Sequence, residues 1–295
     1  MAVIENNAGV TLDHILFATD FSPASEAAMA YARALAKRFA SRITVANVID
    51  LSVATRSEDA VVGLPLDDMR RESAENMERT LNELGEAGLR PAGRTVESHL
   101  PAAAVIGMAG DTTDLLVVGT HGRRGLQRFI LGSFAEGVIH HAKCPVLTIG
   151  PKVKPLSEHG LVFSDVLFAT DLHHHTTEKA AAAMAWAEDS VANIHLCHVV
   201  DHPSGSITDT LSEEFASESA LRRLIPGAAF DWCNPNVDVE FGDPAERILQ
   251  LADKHQADLI IMGARRSANW FTHFQGVAGK VIANATCPVM TICID

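Results

Sequence analysis

The chain is poor in aromatic residues, with 5% Phe, Trp and Tyr and a single Tyr among 295 residues. Interior packing therefore falls to Ala, Val, Ile and Leu, which suits strands covered on both faces by helices. No apolar run approaches the roughly 18 residues that a membrane span needs, so no transmembrane helix and no membrane partner are expected. The opening residues, MAVIENNAGVTLD, have no basic region and no apolar core, so no signal peptide is expected. Paired cysteines are missing too. The five Cys, at 144, 197, 233, 287 and 293, are odd in number and form no CxxC. That argues against a disulfide framework and fits a reducing cytoplasm. Positive charge is in deficit, with a formal net charge of −13. Nucleic acid as a partner is thereby disfavoured, because a phosphate backbone needs a basic surface. A single nucleotide is not, since local donors at one loop suffice. Two common phosphate motifs are absent: there is no GxxxxGK followed by Ser or Thr, and no GxGxxG after the first strand.

What is present is repetition. HILFATDFS (14–22) returns as DVLFATDLH (165–173), DLLVVGTHG (114–122) as DLIIMGARR (258–266), and KCPVLTIG (143–150) as TCPVMTIC (286–293). A repeat of this length predicts two similar domains. Their boundaries are set at 1–152 and 161–295, with PKVKPLSEHG (151–160) as the linker because of its two Pro and its polarity. The offset between copies is 151 at Asp20 and Asp171 and 143 at Pro101 and Pro244. The second copy has therefore lost eight residues between its second and third strands. Its helix there is expected to be shorter, and 52–65 of the first copy is expected to be an extra loop.

Short apolar runs alternate with helical stretches. In the first copy, strands are expected at 14–19, 43–49, 94–99, 115–118 and 146–149. Ser22 and Pro23 read as the cap and first residue of the helix after strand one. Further helices are expected at 66–84, 101–109 and 133–140. The second copy repeats the strands at 166–170, 194–200, 237–241, 259–262 and 289–292. Strands apolar on both faces and separated by helices predict a parallel, doubly wound α/β sheet with right-handed crossovers.

One loop carries the chemistry. Gly119 ends a strand, and ligands bind at the carboxyl ends of strands in open parallel sheets. Gly119 and Gly122 bare the main chain toward an anion. Nine residues on, Gly132 and Ser133 precede a helix, whose unpaired N–H groups and positive dipole end suit phosphate. Ser133 adds a hydroxyl donor, and Arg123 and Arg124 screen charge. The plainer alternative is that the glycines serve turns only.

On the spacing at 119–133, the ATDFS motif (18–22) and the CPVLTIG ending (144–150), the chain resembles a tandem universal stress protein. That family carries G-x2-G-x9-G followed by Ser or Thr after its fourth strand, and 119–133 matches in full. The resemblance covers essentially the whole chain in two copies. It implies two Rossmann-like domains of the adenine nucleotide alpha hydrolase-like kind. Each has a five-stranded parallel sheet, and the last strands pair to give an intramolecular pseudo-dimer. It also implies ATP as ligand, with or without Mg2+, as in the subclass of the family that binds ATP. By position, Asp20 sits by the ribose or adenine and Val48 offers its backbone to adenine. Gly119, His121, Gly122 and Arg123 line the phosphates, which Gly132, Ser133 and Phe134 hold from the helix start. Whether two chains associate further, into a homodimer, is not readable from the sequence.

The second copy departs from the motif. Arg266 replaces Gly122 and Val277 replaces Ser133, so weak or absent ATP binding is expected there. His173, His174 and His175, with His198 and His202, raise a Zn2+ site against the plainer reading of solvated loop side chains. Trp270, Phe271 and Phe274 read as packing in the degraded loop, with a contact surface as the alternative, and Cys144 and Cys287, each before Pro, as buried packing rather than nucleophiles. Three functions compete: a nucleotide-binding stress or signalling protein with at most slow hydrolysis, a nucleotide-free interaction module, and an enzyme that activates a substrate with ATP. The last calls for an SGGxDS-like loop where this chain holds ATDFS.

Overall fold

The computed structural model describes residues 9–54, 66–120, 132–156, 160–173, 175–201, 207–264 and 276–293. The first repeat runs β1 (His14–Thr19), α1 (Pro23–Phe39), β2 (Arg42–Asp50), α2 (Leu51–Ala54), α3 (Leu66–Glu86), β3 (Pro91–Ser98), α4 (Pro101–Ala109), β4 (Leu115–Gly119), α5 (Ser133–His141) and β5 (Val146–Ile149). The second runs β6 (Asp165–Ala169), α6 (Thr176–Ser190), β7 (Asn193–Val200), α7 (Ile207–Arg223), a 3-10 turn (Gly227–Asp231), β8 (Asn236–Phe241), α8 (Pro244–Lys254), β9 (Leu259–Gly263), α9 (Val277–Asn284) and β10 (Val289–Ile292).

All ten strands form one sheet in the order β3-β2-β1-β4-β5-β10-β9-β6-β7-β8. Within each repeat the pairing is parallel. The join between repeats is antiparallel, with Val289 opposite Thr148 and Thr291 opposite Val146. The second set of strands therefore points the other way, and the carboxyl ends of the two repeats lie on opposite edges of the sheet.

Alternation along each strand feeds two core layers. Ile15, Phe17, Leu115 and Val117 meet α1 and α3 through Ala28, Leu35, Met77 and Leu84. Leu16, Ala18, Leu116 and Val118 meet α4 and α5 through Val105, Val138 and Ile139. Fully burying one such aliphatic side chain stabilises by about 1.5–3 kcal/mol, so a charge at Leu16, which is fully buried, would disrupt the fold. Both layers continue across the join: Leu147, Ile149, Met290 and Ile292 share one, and Val146 and Val289 the other.

Two expectations are refined. The third strand starts at Pro91 rather than 94, because β3 is an edge strand and tolerates Pro as its first residue. The expected extra loop at 52–65 begins inside a four-residue helix, α2, and 55–65 lies outside the described residues. The second repeat's helix is shorter, as the deletion predicts: α7 has 17 residues against 21 in α3.

Local sequence explains the helix that matters most. Ser22, extended at ψ 162°, caps α1, its hydroxyl accepting from the Ser25 N–H, and Pro23 fills the first position. The helix stops at Ala40, which is left-handed at φ 53°.

Candidate functional site

The carboxyl ends of β1, β2 and β4 form the edge where the sequence places its ligand. Asp20 leaves β1 half-buried. Its Oδ1 accepts from Ser25 Oγ at 2.6 Å and from the Ser22 N–H at 3.1 Å, so the carboxylate organises the turn into α1. Behind it, Asn47 Nδ2 donates to the Thr19 carbonyl at 2.8 Å, and Ser73 Oγ donates to Asn47 Oδ1 at 2.7 Å. Ser25, Asn47 and Ser73 thus brace Asp20 and the end of β1. The sequence reading missed all three. One signal was available, since Thr176 and His198 occupy the places of Ser25 and Asn47 in the second repeat and keep a hydroxyl and a donor.

Val48 is half-buried and packs on the α4 side. It lies inside β2, which continues to Asp50, rather than at its end. The β1–β2 pairing stops at Thr19 and Asn47, so from Val48 onward β2 is paired with β3 alone.

Gly119 ends β4. A Cβ there would come within 2.7 Å of the Ala24 carbonyl oxygen, so packing of the α1 start onto β4 is by itself a sufficient reason for glycine. Thr120 is buried, and its carbonyl accepts from the Gly132 N–H at 3.3 Å. Residues 121–131 therefore leave and rejoin the described structure at one hydrogen-bonded neck. His121, Gly122 and Arg123, with Arg124, lie outside the described residues. So do Arg265, Arg266, Trp270, Phe271, Phe274, His174 and His202.

Gly132 is the N-cap of α5, extended at φ −68° and ψ 148°, and contributes no side-chain cap. The first-turn N–H groups of α5 thus have no capping side chain at Gly132, with Ser133 exposed beside them and Phe134 half-buried. A helix of nine residues with such an end is chemically suited to an anion.

A sequence model described as the universal stress protein family matches residues 11–150 and, a second time, residues 163–292. The chain belongs to that family. A universal stress protein of Mycobacterium tuberculosis is 26% identical over 293 residues, spanning 94% of this chain and 95% of the relative. One from Methanocaldococcus jannaschii is 33% identical over 147 residues, covering 46% of this chain and 80% of the relative. The crystal structure of a universal stress protein from Archaeoglobus fulgidus superposes with a TM-score of 0.70 at 21% identity, covering 95% and 96% of the two chains. That likeness establishes the fold of two Rossmann-like α/β repeats.

In this universal stress protein the second repeat ends its strands differently. Asp171 is exposed and its Oδ1 accepts from the His173 N–H at 3.1 Å. His198 Nδ1 bonds the Thr170 carbonyl at 2.9 Å, doing for β6 what Asn47 does for β1. That gives His198 a structural partner, and among the described residues no three His, Cys, Asp or Glu converge on a metal position. Gly263 is overlaid by the Lys179 side chain, whose Nζ would lie 3.0 Å from a Cβ there. The amine of Lys179 at this edge is another residue the sequence reading passed over. Burial pushes the Cys144 and Cys287 thiols up to about 11 and about 12, which keeps them protonated and inert. Among the described residues no helix is long and apolar enough to cross a membrane.

Proposed function

We propose that this universal stress protein is an adenine-nucleotide-binding protein whose nucleotide site is the carboxyl edge of repeat one, within residues 1–152. The observation that carries the reading is the neck at Thr120 and Gly132, where the spaced-glycine segment rejoins the start of α5 beside Ser133. ATP is the ligand, with or without Mg2+. Its phosphates are assigned to the main chain at Gly119, His121, Gly122 and Arg123 and to Gly132, Ser133 and Phe134. Asp20 and the backbone of Val48 are assigned to the nucleoside. Occupancy sets the conformation or partner choice of a stress or signalling protein, and hydrolysis is at most slow. Asp20 Oδ1 is committed to Ser25 and Ser22, which supports a positioning role over that of a general base.

Repeat two, within residues 161–295, serves as the built-in partner and binds nucleotide weakly or not at all. Val277 stands at the start of α9 where repeat one has Ser133, although the cap geometry of Gly276 (φ −73°, ψ 168°) matches that of Gly132. This half fits the second reading, a nucleotide-free interaction module.

Calorimetric titration of the full chain with ATP, with and without Mg2+, tests the assignment. One ATP per chain is expected. Ser133→Val is expected to weaken binding about ten-fold, the worth of a hydrogen bond to a charged group. Silence at millimolar ATP, in heat and in melting temperature, would end the nucleotide reading. Two equal sites would end the division between repeats.

A further inference from the structure

Away from the strand ends, a trough runs along the α1 side of repeat one in two lobes. The inner lobe, about 320 Å3, lies between α1 and α3 over Phe17, Phe21 and Met29, and Glu26, Arg79 and Glu83 also line it. The outer lobe, about 820 Å3, lies between α1 and the linker, with Ala34, Tyr31, Val153 and Leu156 among its walls. Ala30 and Arg33 line both lobes, and Arg33 pairs with Glu83 at 3.3 Å beside their junction. Along α1 the walls extend from Ser25 to Arg38, about 20 Å of helix. The volumes are those of small-molecule sites. The elongated shape suits an extended chain better than a compact ring system.

Charge narrows the occupant. Among the described residues, the charged groups lining the outer lobe are Arg33, Lys37, Arg38 and Lys154, with no carboxylate beside them. Arg33 and Arg38 are engaged by Glu83 and Asp189. Lys37 and Lys154 make no ion pair and no side-chain hydrogen bond with the described residues. On a chain with a net charge of −13, two ammonium groups without a partner among the described residues, above an apolar floor, are a local inversion of the surface field. An apolar chain with one anionic end complements it.

We propose that the trough binds a free fatty acid of medium length. Its carboxylate sits at Lys37 and Lys154 in the outer lobe, and its chain follows α1 past the Arg33–Glu83 pair toward Met29. The site is distinct from the strand-end edge and does not depend on the nucleotide reading, although its inner end reaches Ser25, which holds Asp20.

Decanoate, titrated calorimetrically below its micellar range into the full chain, tests the proposal. Decylammonium and decyl maltoside are the comparators. One decanoate per chain is expected, bound about ten-fold more tightly than octanoate because two more methylenes are buried. Both comparators are expected to bind at least about ten-fold more weakly than decanoate. The double variant Lys37→Glu with Lys154→Glu is expected to lose about ten-fold or more in affinity. Ala34→Trp, which fills the outer lobe, is expected to abolish binding. The Met29 methyl NMR signal is expected to shift on saturation. If Ala34→Trp fails to fold, the surface lysine variant and the Met29 signal decide. Absence of saturable binding overturns the proposal. So does a Met29 signal that stays still, decylammonium or maltoside binding as tightly as decanoate, or full affinity in the folded lysine variant. A negative result leaves the ATP titration unaffected, so the two readings fail separately.

Discussion

β1 and β6 run into the same four residues, Phe-Ala-Thr-Asp, and the chains then diverge. After β1, Asp20 is gripped by Ser25, Ser22 caps the helix, and α1 starts at Pro23. After β6, His175 is the N-cap in a left-handed conformation with no capping side chain, and α6 starts at Thr176, the counterpart of Ser25. The Thr176 hydroxyl donates to the His173 carbonyl instead. A shared motif thus yields two different carboxylate environments, decided by the residues that follow it. The other half of the edge behaves in the opposite way. α5 and α9 start from glycines of matching geometry, so the main-chain frame persists and the repeats differ there by side chains, Ser133 against Val277 and Thr120 against Ala264. Side-chain changes at one element and main-chain changes at the other have separated two copies of one site.

The largest expected effect sits where the repeats meet. A Cβ on Gly150 would lie 2.3 Å from the Ile282 carbonyl oxygen of α9. The corresponding residue of the second repeat is Cys293, which already carries a side chain. Gly150→Ala should destabilise the chain by about 3 kcal/mol, or about 5 °C in melting temperature. A melt unchanged within error would show that the join yields easily and that the asymmetry is unimportant.

Next comes the pair of strand-end glycines. Gly119→Ala drives a methyl group into main chain at Ala24 and should cost about 2 kcal/mol. Gly263→Ala meets only the flexible Lys179 side chain and should cost less than about 1 kcal/mol. Chemical denaturation of both variants measures the difference, and equal costs would erase this contrast between the repeats.

A third contrast lies at the opposite end of the strands. In repeat two, His195 is buried, stacks on His255 with centroids 4.0 Å apart, and has Nε2 3.1 Å from Asp165 Oδ1. His255 in turn faces Asp238, which Lys254 also pairs. Repeat one has Thr44 in the place of His195. Burial pushes the His195 imidazole below its ordinary value, against the opposing pull of the Asp165 hydrogen bond. The folded chain therefore takes up this proton less readily than the unfolded chain. Its contribution to stability is complete above about pH 6.5 and declines as pH falls from there through the lowered folded value. Melting temperatures between pH 7.5 and 5.5 should fall on the acid side, and His195→Thr should flatten that slope. An unaltered slope in the variant would remove His195 as its source.

The smallest effect is expected at Arg38 and Asp189, which occupy equivalent places in α1 and α6 yet pair at 2.6 Å. Matching charges would repel there in a symmetric pair of repeats, whereas the fused chain places opposite ones. With side-chain exposures of 27% and 22% both groups stay in contact with solvent at the rim of the fold, so Asp189→Arg should cost about 0.5–1 kcal/mol. The exchange Arg38→Asp with Asp189→Arg should recover most of it. A double-mutant cycle by thermal melting would expose any lack of coupling.

Much of the architecture was legible beforehand. Helix α1 announced itself through Ser22 and Pro23, its cap and first residue. β3 was the least legible strand, because at an exposed edge its residues carry little apolar alternation. The candidate site was legible at Asp20, Gly119, Gly132 and Ser133, which lie on strand ends and a helix start. Asn47 and Ser73 were not, since their hydrogen bond joins residues 26 apart that only packing of α3 on β2 brings together.

The sequence by itself determined the two repeats and the order of the strands and longer helices, because these depend on local periodicity and capping. Tertiary structure alone decided three things. They are the antiparallel direction of the β5–β10 pairing that the resemblance implies, the second reason for glycine at 119, and the meeting of His195 with His255. Each depends on contacts between segments far apart in the chain, which spacing along the chain does not encode.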